Sequence, residues 1–270
     1  MSSSPDPTTT DVSQSKGLPK GHRVSAVIPA YNEADRVADV LQTISDSKHV
    51  DEIVVVTDGS TDNTPEVVRN WMQSREEGSM PVRLFELKTN IGKGGAMAHG
   101  AHRAEGDILL FLDADLIGLQ PYQVDEMLVP MLRENNPVDM VLGLFGAVRG
   151  GLLGWWLSYC HRTVPSITGQ RAIHRELFLA VPGLTRSRFG VEAAITCFVQ
   201  SNPELKLEYT YLDQVTHPIK EEKLGPFRGF RNRMRMYREI FRTVAVFRVR
   251  HEAARQREKA MERLERFSNK

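Results

Sequence analysis

Ile108-Leu109-Leu110-Phe111-Leu112-Asp113-Ala114-Asp115 carries five apolar residues straight into two carboxylates at positions i and i+2. A short apolar run ended by polar residues reads as a fully buried strand, of the kind covered on both faces in a parallel sheet. Side chains repeat with period two along a strand, so Asp113 and Asp115 leave it on the same side. An isolated Asp-x-Asp is more often a pair of solvated turn aspartates. At a strand end the same pair suits a hard divalent cation such as Mg²⁺ or Mn²⁺, which takes one or two carboxylates and completes its shell with substrate phosphates. The neighbouring segments decide between the two.

Upstream, apolar runs alternate with helical patterns. Val24 to Ile28 is a β-branched run ended by Pro29, and Val37, Val40, Leu41 and Ile44 then recur at helical spacing. Ile53 to Val56 reads as a strand, Thr64 to Met72 as a helix, Val82 to Leu87 as a strand and Gly94 to Ala104 as a helix. After Ile108 to Leu112 come a helix over Pro121 to Leu132 and a fifth strand over Val138 to Leu142. Strands separated by helices of about ten residues imply right-handed crossovers and an α/β, mostly parallel sheet with helices on both faces. Ligands of such sheets bind beyond the carboxyl ends of the strands. That places Pro29 to Glu33, Thr57 to Asp62 and Asp113 to Asp115 along one edge.

The 270 residues are 41% hydrophobic, enough for one catalytic-sized core. Cys160 and Cys197 lie in apolar surroundings without paired spacing, which predicts neither a disulfide framework nor a zinc site and fits a reducing cytoplasm. Residues 1–20, rich in Ser, Thr, Pro and Asp, read as a disordered tail. No window of about 18 uninterrupted apolar residues occurs, so no membrane span is expected. Residues 223–270 hold 15 Lys/Arg against 5 Asp/Glu, a net of +10, which leaves 20 against 29, or −9, for residues 1–222. Expected units are therefore the tail 1–20, a catalytic domain over 21–222 and a basic helical extension over 223–270.

Each loop has a plain reading and a chemical one. Asp58 at a strand end can accept a hydrogen bond from a base imide N–H. Asp62, just before a helix, can simply cap it. Asn90-Ile91-Gly92-Lys93-Gly94-Gly95 is a Gly-rich turn whose N–H groups and ammonium can meet an anion, although it lacks the Walker A spacing.

In this order the loops resemble those of GT-A fold, family 2-like nucleotide-sugar glycosyltransferases. Val27 to Glu33 is similar to the family's opening strand and nucleotide loop, Asp58-Gly59-Ser60-Thr61-Asp62 to its second signature, Asn90 to Gly94 to its Gly-Lys loop, and Asp113-Ala114-Asp115 to its metal motif. Thr57 stands where the family commonly has Asp. The resemblance spans about residues 22 to 222 and implies a Rossmann-like GT-A sheet and transfer of a sugar from a nucleoside-diphosphate donor to a hydroxyl or phosphate acceptor. It implies donor contacts from Pro29, Ala30, Tyr31, Glu33, Asp58, Lys93, Asp113 and Ala114.

Further along, Ser166 to Ala172 looks like the family's acceptor-side loop. Gly190-Val191-Glu192 and His217 resemble a Gly-Val-Glu segment and a later metal-binding His in the retaining glucosyl-3-phosphoglycerate synthases, and there is some resemblance to polyprenyl-phosphate sugar synthases. The implied metal ligands are Asp113, Asp115 and His217, with Asp115 and Glu192 as catalytic groups. Glu192 would be the general base if the anomeric centre inverts, and would orient donor or acceptor if it is retained. Without the resemblance, Glu192 is a carboxylate favoured by a helix N-terminus.

Arg149, Arg162 and Arg171 flank the apolar run Gly150 to Leu157 and could hold an anionic acceptor through bidentate contacts. Arg228, Arg231, Arg235, Arg238 and Arg242, with Met234, Tyr237, Phe241 and Val244, describe a basic amphipathic helix that packs on the domain or lies at an anionic membrane surface. Nucleic acid is not an expected partner, since the −9 portion repels phosphate backbones; a homodimer stays open. Two rival classes are a sugar-phosphate nucleotidylyltransferase, which needs a Gly-rich loop where Pro29 to Glu33 has none, and a non-catalytic nucleotide-sugar-binding module.

Overall fold

A computed structural model describes residues 21–145, 168–184 and 190–216. The expected tail 1–20, the extension 223–270, Arg149, Arg162, Cys160 and His217 lie outside the described residues. Seven strands form one sheet: β1 (Val24–Ala30), β2 (Glu52–Asp58), β3 (Val82–Leu87), β4 (Ile108–Phe111), β5 (Met140–Phe145), β6 (Arg171–His174) and β7 (Leu207–Leu212). Their order is β3-β2-β1-β4-β6-β5-β7. The helices are α1 (Val37–Ser45), α2 (Thr64–Gln73), α3 (Lys93–Arg103), α4 (Pro121–Leu132), α5 (Arg175–Ala180) and α6 (Val191–Ser201).

Every residue of β2 is buried, as a central parallel strand covered on both faces demands. The period-two alternation sorts the core. Ala26, Ile28, Ile53, Val55 and Leu110 pack with Val37, Leu41 and Ile44 of α1 and Val124 and Leu128 of α4. Val27, Val54, Val56, Leu109 and Phe111 pack on the other face with Ala96, Met97 and Ala101 of α3 and Ile195 of α6. Each fully buried Val or Leu contributes about 1.5–3 kcal/mol. The small residues of α3 let it lie close on the sheet: a Cβ on Gly100 would stand 2.4 Å from Val27 Cγ1. Lys93, at the start of that helix, is thereby brought down to the sheet edge.

Pairing is parallel for β1 with β2 and β4, for β2 with β3, and for β5 with β7. β6 alone runs antiparallel to its neighbours, β4 and β5. Thus the segment read as the end of a loop, Arg171 and Ala172, is the start of a strand. Four residues opened by an arginine carry no hydrophobic alternation, and only the two flanking strands make them a ladder. The antiparallel direction puts the entry to β6 at the carboxyl end of β4, so Thr168 to Gln170 meets Asp113.

Candidate active site

Alternation continues past the end of β4. Leu110, Leu112, Ala114 and Leu116 all join the α1/α4 core, which leaves Asp113 and Asp115, both half-buried, off that core. Ala114 turns its methyl group into the core and is 3% exposed, so it borders the loop through its main chain. Isolated pairing of Ile117 with Thr216, N to O at 2.8 Å and 3.0 Å, ties the following turn to the chain immediately before His217.

The loops after β1 and β2 are laced together. Asn32, held at φ 57°, accepts Thr61 N at 2.7 Å on Oδ1 and donates Nδ2 to Thr61 Oγ1 at 3.2 Å. Glu33 N donates to Thr64 Oγ1 at 2.9 Å. Pro29 is half-buried and Ala30 buried at the end of β1, while Tyr31 is 45% exposed. Proline is tolerated there because β4 stops pairing at Val27. Asp62 accepts Thr64 N at 3.0 Å and Thr64 Oγ1 at 2.5 Å; it stands one residue before Asn63, the N-cap of α2, so it braces the turn into the helix rather than capping it.

Asp58 is buried, and its carboxylate accepts Ile91 N at 2.7 Å and Gly92 N at 2.8 Å. It therefore anchors the Gly-Lys loop, a contact across more than thirty residues that the local sequence did not announce. Gly59 beside it adopts φ +66°, and a Cβ there would stand 2.6 Å from Asn90 N.

At the centre, Lys93 Nζ donates to Asp113 Oδ1 at 2.5 Å and makes a short contact with Glu192 Oε1. Burial by itself disfavours the ammonium, but the charges of Asp113 and Glu192 outweigh it and raise the Lys93 pKa above its ordinary value. Gln170 Nε2 donates to Asp113 Oδ2 at 3.0 Å. Gly169 touches this pair so closely that a Cβ would stand 2.5 Å from Asp113 Oδ2 and 2.6 Å from Lys93 Nζ.

Arg171 differs from expectation. Rather than facing an acceptor from the surface, it is 0% exposed. Its guanidinium donates to Glu192 O at 3.0 Å and, in a short contact, to Thr168 O. Its Nε is the one buried side-chain polar atom without a hydrogen-bond partner among the described residues; such an orphan costs about 1–3 kcal/mol. Burial lowers its pKa to about 10, with Glu192 and Asp113 opposing the shift, so it remains a cation at neutral pH. The stretch Ser166 to Ala172 was expected only as an acceptor-side loop; the contacts of Thr168 and Gln170 and the structural role of Arg171 were not foreseen.

Among the described residues there is no group of three or more His, Cys, Asp or Glu side chains that could hold a metal. Of the expected metal ligands, Asp113 and Asp115 lie among the described residues. Nor, among those residues, is any helix long and apolar enough to cross a membrane.

The family model described as Glycosyl transferase family 2 matches residues 25–196. The chain belongs to that family. The family 2 chain is 35% identical over 143 residues to a glucosyl-3-phosphoglycerate synthase of Mycolicibacterium smegmatis, covering 52% of this chain and 45% of the relative. It is 38% identical over 101 residues to a dolichyl-phosphate beta-glucosyltransferase of Drosophila melanogaster, covering 34% and 30%. The family 2 chain thus spans less than half the length of these curated relatives. The crystal structure of glucosyl-3-phosphoglycerate synthase from Mycobacterium tuberculosis with Mn²⁺, UDP-glucose and phosphoglyceric acid shares the fold, with a TM-score of 0.60, 23% identity and coverage of 84% of this chain and 80% of that one. The GT-A-like sheet is therefore that of the family.

Proposed function

We propose that this chain transfers a glucosyl group from UDP-glucose to a phosphate-bearing acceptor, with Mn²⁺ or Mg²⁺ held by Asp113 and Asp115. The observation that carries the reading is the convergence of Lys93, Asp113 and Glu192 at the carboxyl edge of the sheet, beside the laced loops after β1 and β2. The relatives' names supply the chemistry: both groups move glucose, and their acceptors, phosphoglycerate and dolichyl phosphate, both carry phosphate.

The donor set fits such a cation, which binds through one or two carboxylates plus substrate phosphates rather than a closed protein cage. His217 is proposed as a further ligand, because Thr216 just before it is paired with Ile117, two residues past Asp115. When bound, the cation would offset charge gathering on the departing diphosphate. Pro29, Ala30, Tyr31 and Glu33 would seat the base and ribose. Asp58 sets the Ile91 and Gly92 N–H groups and thereby aims Lys93, whose fixed ammonium favours an anionic leaving group. Main-chain contact is the part assigned to Ala114. Glu192 already gives one oxygen to Lys93, which supports an orienting role over removal of a proton.

The test is calorimetric titration of UDP with and without Mn²⁺, followed by a UDP-release assay with UDP-glucose. Mn²⁺-dependent binding is expected, with Asp115→Ala losing at least about 100-fold in kcat at an unchanged melting temperature. Metal-independent binding, or an Asp115→Ala enzyme of ordinary activity, would remove the assignment.

A further inference from the structure

Six residues form a closed circuit around Gly169, through side chains and two main-chain carbonyls. Asp113 accepts Lys93 on Oδ1 and Gln170 on Oδ2. Gln170 N donates to Thr168 Oγ1 at 3.3 Å, and the Thr168 hydroxyl lies 3.0 Å from Gln170 Oε1 and 2.6 Å from Gly143 O, its single proton serving one of them at a time. Arg171 then joins Thr168 O to Glu192 O, and Glu192 returns to Lys93. The circuit unites the turn after β4, the entry to β6, the first turn of α6 and the start of α3.

We propose that Arg171 is a positioning residue for sugar transfer, closing this circuit so that Asp113, Lys93 and Glu192 hold one geometry. It touches none of the reacting groups and works through two main-chain carbonyls. Its burial argues for this role. A guanidinium placed only to bind a carboxylate would present a fork to one; here its two terminal nitrogens reach carbonyls from segments 24 residues apart, Thr168 and Glu192, and its Nε is left without a partner. An unsatisfied buried donor is retained where the surrounding structure needs the rest of the side chain. Packing alone would be served by the apolar residues that fill the adjacent positions of β6, Ala172 and Ile173. Thr168, 5% exposed, and Gln170, 0% exposed, are likewise polar side chains spent on the circuit rather than on solvent.

The role rests on the function proposed above, and the measurements separate the two. Arg171→Lys keeps a cation but has one nitrogen where two are needed. Thr168→Val keeps shape and breaks the circuit at another link. For both, hydrogen exchange over residues 168–174 and 190–196 is compared with exchange over 24–58, and kcat and KM for UDP-glucose with Mn²⁺ are measured by UDP release, with 3-phosphoglycerate and with water as the acceptors. Faster exchange confined to the first two segments is expected, with kcat down about 30- to 100-fold, as a misplacement of order 1 Å gives, and KM within about threefold. Arg171→Lys protein with kcat within threefold of wild type, or with kcat reduced only as far as its folded fraction, overturns the proposal. Unchanged exchange in both variants overturns it as well. Wild-type protein that neither binds UDP with Mn²⁺ nor releases it from UDP-glucose removes the proposed function, and the role of Arg171 in it, even where exchange shows the circuit.

Discussion

Gly169→Ala is the sharpest single perturbation of the site. The added Cβ would lie 2.5 Å from Asp113 Oδ2, 2.6 Å from Lys93 Nζ and 2.8 Å from Asp113 Oδ1, whereas ordinary contact begins at 3.4 Å. Restoring contact distance moves the carboxylate or the ammonium by about 0.9 Å. Both are ends of side chains, so the fold can yield; overpacking of this kind costs about 1 kcal/mol of stability. The site cannot yield as cheaply. A displacement of about 1 Å at reacting groups costs about 100-fold in rate, which corresponds to about 2.7 kcal/mol in the barrier. The assay is kcat/KM for UDP-glucose with Mn²⁺, run beside a thermal melt on the same preparation. A fall of about 100-fold with a melting temperature lowered by only a few degrees is expected. Activity within threefold of wild type would refute the claim that the Lys93–Asp113 geometry governs turnover, and a collapse of the melt would assign the loss to folding instead.

Two further outcomes concern stability and need no substrate. Glu52, 1% exposed, accepts Ser25 Oγ at 2.5 Å and Glu105 N at 2.6 Å and pairs with Arg83; burial raises its pKa, but these donors outweigh burial and hold it below the ordinary carboxylate value. A depressed carboxylate stabilises the fold above its unfolded pKa of about 4.3 and loses that contribution as pH falls through the lower folded value. Urea melts across pH should therefore show Glu52→Gln about 2 kcal/mol less stable at neutral pH, the partly exposed Arg83 limiting the figure, with the gap narrowing below about pH 4.3. A gap constant down to strong acid would contradict this. Gly59→Ala, at φ +66° with Cβ 2.6 Å from Asn90 N and 2.7 Å from Thr89 C, presses on main chain that cannot step aside. A loss of about 2–3 kcal/mol is expected, and a thermal melt within a degree of wild type would show that the loop is softer than its geometry implies.

The parallel half of the fold was legible because β-branched and aliphatic runs such as Ile53 to Val56 are buried on both faces and need no alternation to be seen. The Pro121 to Leu132 helix was legible from its proline start and apolar spacing. β6 was not, since Arg171 to His174 becomes a strand only through β4 and β5. At the site, local chemistry marked the Asp113–Asp115 pair and the Gly-Lys loop, while Glu192 stood out only through the family resemblance. It could not tell that Lys93 and Glu192, 99 residues apart, share a proton-bearing contact, nor that both Asp58 oxygens are occupied by main-chain N–H groups. Those are products of sheet topology, which no window of sequence contains.

The reversal of β6 has a consequence for how such a protein can change. The residues proposed to seat the base and ribose lie before Asp115, whereas those from Thr168 onward enter through β6, which joins β4 in the direction opposite to the parallel strands. The two stretches can therefore accumulate substitutions under different demands, one keeping a common leaving group and the other trying new acceptors. The toll is concentrated where they join. On the proposed function, a variant of the later stretch must preserve a residue without a side chain at position 169 and the two-pronged guanidinium at 171, so libraries built to redirect this chain toward another acceptor should hold those two fixed and vary what surrounds them.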